Sequence, residues 1–398
     1  MSVDAEAPPT RPRDDLVQPI MAGVLAAIVG YASTFTLMLA ALAAVGATAG
    51  EAGSGLFAVC LGIGLLNLVV AWRASVPISF AWSTPGGAFL LTVGEPAGGF
   101  PAVVGAFIVC GGLIVLTGIL KPLARAVAAI PAPLANAMLA GMLLTLCLAP
   151  IKAVGELPAL AVPVLFAWML GLRFARRYAV PIAVVVTGAI LVATTHLPSA
   201  TFDGAWPQLR FVVPAFTWDA TVRIALPLYI VTMASQNLPG LAVMRANGFS
   251  VSPPPLFLMT GLVSVITGLF GGMTSNLAAI TAAICAGPEA HPLPGRRWPA
   301  PMAAGATYLV LGLAASVAAA FIAASPPLLI QAVAGLALFS SLASSLAGSL
   351  EDEQVRLPAI LTFVATASGI TIIGVGAPFW GLLGGILLLL LLRPPFRQ

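Results

Sequence analysis

From residue 17 to residue 392 the chain is a succession of apolar runs, none with a charge at its centre. Lipid offers no partner to backbone N–H and C=O groups, so such runs cross it as helices. Each crossing takes about 20 apolar residues, fewer where neighbours help. Only 8% of the residues are charged and 60% are hydrophobic, against roughly a quarter charged in soluble domains. The chain is an integral membrane protein. Its 40 glycines and 34 prolines suit packed, interrupted helices better than plain anchors. The net charge of +4 reads as loops held in the cytoplasm, with no nucleic-acid partner implied.

Walking the runs gives candidate spans at 17–46, 54–72, 76–94, 100–120, 131–150, 158–173 and 180–197, then 222–244, 255–271, 273–287, 301–323, 326–347, 357–375 and 377–392. These are fourteen segments, seven on each side of the polar stretch from His196 to Thr221. The expected plan is a disordered cytoplasmic tail (1–16) without a signal peptide, a first repeat (17–197), an extracytoplasmic linker (198–221), a second repeat (222–392) and a cytoplasmic tail (393–398). With the N-terminus in the cytoplasm, fourteen of the 17 cations fall on the cytoplasmic side. Only Lys152, Arg210 and Arg223 fall opposite. That asymmetry fixes the orientation, with both termini cytoplasmic.

Seven is odd, so the second half enters the membrane inverted. Inverted repeats place a substrate site at the midplane where the halves meet, commonly at Gly- or Pro-interrupted segments in matching positions. Span three is interrupted at Ser83-Thr84-Pro85-Gly86-Gly87 and span ten at Gly271-Gly272-Met273-Thr274-Ser275-Asn276. In span three an extended piece, 76–82, should lead into a half-helix. Ser83 or Thr84 caps it, and Pro85 sits in the first turn, where its missing N–H costs nothing. Span ten is expected to do the same, with Thr274 or Ser275 as cap and residues 276–280 as first turn. The fold expected is thus all-α, about fourteen transmembrane segments in a 7+7 inverted repeat, with two half-helices meeting at mid-membrane. Two helix N-termini there form an anion site without lysine or arginine. Ordinary kinks with glycine packing faces are the alternative.

Span eight carries Thr232, Ser235, Gln236 and Asn237 ahead of Pro239-Gly240. An amide pair in a span is either a site or glue between helices. Tyr31, Ser33 and Thr34 in span one complete the polar set, and Tyr31 is able to stack on a planar ligand or simply to pack. The candidate substrate residues are Tyr31, Ser33, Trp82, Ser83, Thr84, Gln236, Asn237, Thr274, Ser275 and Asn276, with Phe80 a further candidate for the ring. No Asp, Glu or His lies centrally in any span, and Cys60, Cys110, Cys147 and Cys285 are isolated. Neither an acid/base set, a metal site, a cofactor nor a disulfide framework is expected, which argues against an enzyme.

The stretches PISFAWSTPGGA (from Pro77), ALPLYIVTMASQNLPGLAVMRANG (from Ala225) and NLAAITAAICAG (from Asn276) resemble the bacterial benzoate–proton symporter family, BenE type, over about residues 16–392. That family is similar in fold to the nucleobase–ascorbate transporters and the anion exchangers. The resemblance implies a core of spans 1–4 and 8–11 (17–120, 222–287, 301–323) and a gate of spans 5–7 and 12–14 (121–197, 326–392). It implies import of benzoate or a similar aromatic carboxylate with a proton across the cytoplasmic membrane, and leaves a homodimer open. In the nucleobase relatives, glutamates stand where Gln236 and Ser275 stand here. A carboxylate would repel benzoate, and its loss removes the obvious proton carrier. A carrier of a nucleobase-like ring or an inorganic anion, or a passive anion channel, are the alternatives.

Overall fold

The computed structural model describes residues 16–128, 130–194, 206–278, 280–323, 325–372 and 375–392. The expected tails (Leu16 apart), His196 and residues 198–205 of the linker lie outside the described residues. The first half runs α1 (Val17–Ala44), α2 (Ala49–Ala74), β1 (Phe80–Trp82), α3 (Thr84–Val93), α4 (Gly99–Ile119), α5 (Lys121–Ala128), α6 (Ala132–Cys147), α7 (Ala149–Glu156), α8 (Pro158–Phe174) and α9 (Ala179–Thr194). The second runs α10 (Trp218–Ala220), α11 (Leu226–Thr232), α12 (Leu238–Ala246), α13 (Pro253–Gly268), β2 (Ser275–Leu277), α14 (Ile280–Ala286), α15 (Pro299–Gly312), α16 (Ala315–Ala323), α17 (Pro327–Leu350), α18 (Arg356–Ala367), β3 (Thr371–Ile372), β4 (Val375–Gly376) and α19 (Ala377–Leu392). Five helices, counting 132–156 as one, are long and apolar enough to cross a membrane, or six if the pair α15–α16 is a single span. The protein is a multi-pass, all-α membrane protein.

Residues 218–246 are continuously helical, but the register loosens twice into π-helix, at Thr221–Ala225 and Met233–Asn237. Each π stretch ends two residues before a proline, Pro227 or Pro239. A helical proline has no N–H for the carbonyl four residues back, and its ring presses on that carbonyl. The wider i→i+5 turn accommodates both defects. The kink expected at Pro239-Gly240 therefore takes the form of a bulge over the Ser-Gln-Asn run itself.

Four further departures from the sequence reading have local causes. Thr274 and Ser275 do not cap α14. Residues 275–277 are strand, and helix resumes only at Ile280. The run at 301–323 is bent by 54° between α15 and α16. The run at 357–375 stops being helical at Ala367, because Gly369 adopts φ 66° and β-branched Thr371 and Ile372 turn back as a hairpin with Val375 and Gly376. Helix α5 was not expected; it carries Lys121 and Arg125.

Helix α4 lies along α13, and α2 along α15, while α1 packs on α3, α14 and α15. A side chain on Gly305 would come 2.6 Å from the Gly64 carbonyl oxygen, so α2 and α15 touch through backbone, as small residues permit in membranes. Separately, α6 packs with α17, α18 and α19, and α8 with α9. A second apolar core joins α7, α8, α9 and α17 through Ala153, Val164, Leu191 and Leu329.

Candidate functional site

Strands β1 and β2 cross as an antiparallel pair, with Phe80 opposite Leu277, Ala81 opposite Asn276 and Trp82 opposite Ser275. The Ser83 N–H donates to the Thr274 carbonyl (3.2 Å), and the Ala278 N–H to the Ser79 carbonyl (2.9 Å). Antiparallel pairs alternate between bonded and non-bonded positions. The backbone groups of Phe80, Ser275 and Leu277 therefore point away from the partner strand, and in hydrocarbon something else must satisfy them.

Side chains do so, in a matched way. Asn67 of α2 accepts the Phe80 N–H (2.9 Å) and donates to the Phe80 carbonyl (2.9 Å). Ser264 of α13 accepts the Ser275 N–H (2.8 Å); its one proton goes to the Thr260 carbonyl at 2.7 Å, with the Ser275 carbonyl farther off at 3.3 Å. The first residue of each strand is thus held by one buried side chain from the preceding helix, Phe80 at both polar groups and Ser275 at its N–H. Asn237 completes the second edge by accepting the Leu277 N–H (2.9 Å). Its amide nitrogen rests on the Met233 sulfur (3.1 Å). Neither Asn67 nor Ser264 had been singled out in the sequence; an isolated Asn in an apolar helix is the only signal Asn67 gives.

Helix α3 leaves the end of β1. Ser83 is its N-cap, accepting the Gly86 N–H at 3.1 Å, and receives a hydrogen bond from the Thr232 hydroxyl at 3.1 Å. Thr232 also lies 3.3 Å from the Thr274 hydroxyl. Pro85 occupies the first turn. Helix α14 leaves the opposite end of a strand only about 10 Å long, so the two helix starts flank the ladder and do not abut.

The ten expected site residues divide by exposure. Ser83, Asn237, Thr274, Ser275 and Asn276 are fully buried in the scaffold. Trp82 is buried as well. Its indole N–H donates to the Thr34 hydroxyl (3.0 Å), and its ring meets Tyr31 and Tyr308 edge-on, both at 5.7 Å. Tyr31 stacks on Phe35 at 5.2 Å. Ser33 is spent on the carbonyls of Val29 (2.7 Å) and Gly30 (3.1 Å). Phe80, put forward for the ring, is fully enclosed. Half-exposed are Phe35, Ala81, Thr84, Ser235 and Gln236. Among the described residues nothing hydrogen-bonds the Thr84 hydroxyl or the Gln236 amide. Phe35 and Tyr308 are additions that the sequence reading had not named as site residues.

Among the described residues several buried polar atoms find no partner: the Tyr31 hydroxyl, the Ser235 and Ser275 hydroxyls and the Asn276 carbonyl oxygen. Such atoms cost about 1–3 kcal/mol each and are rare unless a ligand or water completes them. The Asn276 nitrogen donates to the Leu277 carbonyl (2.8 Å), which turns its oxygen the other way. An acceptor is therefore left open beside the strand pair. Among the described residues no three of His, Cys, Asp and Glu come together to hold a metal, and the four cysteines are free and buried. The arrangement offers hydrogen bonds and an aromatic wall, with no acid/base set.

Residues 14–391 match the family model described as benzoate membrane transport protein, BenE. The chain belongs to the BenE family. It is 39% identical over 368 residues to the inner membrane protein YdcO of Escherichia coli, covering 92% of this chain and 93% of that one. It is 30% identical over 375 residues to the benzoate membrane transport protein of Acinetobacter baylyi, covering 94% and 95%. In fold this BenE-family transporter resembles the transmembrane domain of the cyanobacterial bicarbonate transporter BicA, with a TM-score of 0.60 at 16% identity over 93% of this chain and 98% of that one. It also resembles murine Slc26a9, an anion transporter in its inward-facing state, with a TM-score of 0.60 at 12% identity over 100% and 74%. The BenE-family chain is a membrane transporter and not an enzyme.

Proposed function

We propose that this BenE-family protein imports benzoate or a similar aromatic carboxylate, with one proton, across the bacterial cytoplasmic membrane. The observation that carries the reading is a set of open hydrogen-bonding groups around the β1–β2 ladder: the Thr84 hydroxyl at the start of α3, the Gln236 amide on the π bulge and the Asn276 oxygen. The carboxylate sits at the N-terminal turn of α3, where the dipole favours an anion, and Thr84 and Gln236 donate to it. The ring rests on the half-exposed Phe35 edge of the Tyr31–Trp82–Tyr308 cluster. Ser83, Asn237, Thr274 and Ser275 hold the ladder in place. The names of the relatives from A. baylyi and E. coli support the substrate and the membrane.

Fourteen segments in two inverted repeats of seven are part of the same reading. It is supported by the match between the Asn67 and Ser264 grips and by the pairing of α4 with α13 as α15 pairs with α2. Spans 1–4 and 8–11 form the core and spans 5–7 and 12–14 the gate, with both termini cytoplasmic.

The proton travels on the substrate. A benzoic carboxyl has a pKa near that of Glu, about 4, and loss of water on occlusion raises it by up to several units. The neutral acid then has an O–H to give, and the Asn276 oxygen has none to accept until it arrives. Thermal stabilisation of purified protein by a panel of benzoate, uracil, sulfate and bicarbonate tests the substrate class. Benzoate alone should raise the midpoint; selective stabilisation by uracil or by an inorganic anion overturns the assignment.

A further inference from the structure

The C-terminal ends of the two short helices that follow the strands are each met by an arginine, in unlike ways. Arg297 is buried and closes off α14. It donates to the Ala286 carbonyl (2.7 Å), the His291 carbonyl (2.7 Å) and the Pro292 carbonyl (3.1 Å). A cation at that end complements the helix dipole, and this one is fully engaged. Arg223 faces the end of α3 but is held loosely. It lies 3.5 Å from the Val93 carbonyl and 3.5 Å from Asp219, and its side chain is 28% exposed. A guanidinium has five N–H donors, and these two long contacts leave most of them free.

The free side of Arg223 borders a cavity of about 50 Å³ between α3, α6, α18 and α19. One water needs about 10–15 Å³, so the space admits a carboxylate head with water. Thr92 and Thr145 stand exposed at its rim, and Met142 and Pro378 form apolar wall. Among the described residues nothing hydrogen-bonds the exposed Thr145 hydroxyl, whereas the hydroxyl of Thr366, which also lines the cavity, is wholly buried and faces Gly381 of α19. A cation, an exposed hydroxyl and apolar surface thus converge where the α3 side of the protein meets α6 and α18.

We propose that this cavity is a second, outer binding station, where Arg223 and Thr145 capture the carboxylate of the aromatic acid before it moves to the strand pair. The inference rests on the proposed substrate and orientation, which put the cavity at the extracytoplasmic end. Of the three cations assigned to that side, Arg223 is the one lining this cavity, so it focuses the field that draws an anion inward. Release is easy because Asp219 and the Val93 carbonyl stand ready to take the guanidinium back.

The test is the initial rate of benzoate uptake by right-side-out vesicles at pH 7.5, for the parent, Arg223→Gln, Arg223→Lys and Thr145→Val, at low and high ionic strength. Arg223→Gln should raise KM roughly tenfold, within the range that focusing supplies, and keep Vmax within about twofold. The parent KM should climb with salt, and the Arg223→Gln KM should not. Arg223→Lys should retain most of the effect, and Thr145→Val should raise KM at both salt levels. If Arg223→Gln instead lowers Vmax at unchanged KM, the arginine is only a cap for α3 and the station does not exist. Should Arg223→Gln fail to fold, an unchanged KM in Thr145→Val overturns the station by itself. A parent that does not transport benzoate sinks the proposed substrate, whereas a transporting parent with indifferent variants sinks this inference alone.

Discussion

Replacing Asn67 by Ala should be among the most damaging single changes available in this protein, although Asn67 lies in the middle of a helix and touches no proposed ligand. The side chain is completely buried and satisfies both polar groups of Phe80, each at 2.9 Å. With it gone, one N–H and one C=O face hydrocarbon. Each orphan costs about 1–3 kcal/mol, so the substitution removes about 2–6 kcal/mol, a large part of the 5–15 kcal/mol that holds a typical domain together. The matching change Ser264→Ala orphans the Ser275 N–H alone, because the Ser264 proton goes to the Thr260 carbonyl at 2.7 Å, so its cost should be about 1–3 kcal/mol. Equilibrium unfolding of both variants in mixed micelles, alongside the parent, measures this. Asn67→Ala within about 0.5 kcal/mol of the parent, the usual scatter of neutral surface changes, would refute the claim that these side chains hold the strand edges.

Three further outcomes follow from the site geometry. Gln236→Ala should leave stability nearly unchanged, since its amide bonds nothing among the described residues, but should weaken benzoate binding. Loss of a hydrogen bond to a charged group costs about 1.5–3 kcal/mol, or roughly ten- to a hundredfold in Kd by calorimetry. Asn237→Ala should do the reverse, lowering the unfolding midpoint by orphaning the Leu277 N–H, with its effect on Kd secondary. Gly86→Ala should impair both, because a methyl there would lie 2.8 Å from the Ser83 cap oxygen and 2.6 Å from Leu228; normal transport by a normally stable Gly86→Ala protein would count against the cap.

Much of this was legible in the chain because membrane helices announce themselves. All fourteen apolar runs contain helical segments, and the span-three break was readable to within one residue: Ser83 or Thr84 was expected as the cap, and it is Ser83. Span ten was not. Its Thr-Ser-Asn run reads equally well as a cap, and only pairing with β1, which lies nearly 200 residues away, makes it a strand. The polar pair Gln236-Asn237 was found as a pair, but its division into one open amide and one structural amide depends on the π turn before Pro239. Asn67, Ser264 and Arg297 were invisible as partners because each acts on backbone that is distant or unremarkable in sequence. The buried hydroxyls around Trp82 were suggested by residue type, whereas Tyr308 reaches the cluster only through the packing of α15 on α1.

The account stands or falls on the charge of what crosses the membrane. Purified protein in liposomes, fed labelled benzoate at pH 7.5, should be challenged separately with a potential of about 100 mV at equal pH and with a one-unit pH gradient at zero potential, reading initial rates above protein-free vesicles. A potential of that size acts on one translocated charge with about 2.3 kcal/mol, which would shift anion accumulation by about fortyfold. If the substrate carries its own proton, the potential should leave the rate unchanged while the pH gradient drives uptake, in the parent but not in Gln236→Ala. Voltage-driven accumulation at equal pH would contradict it.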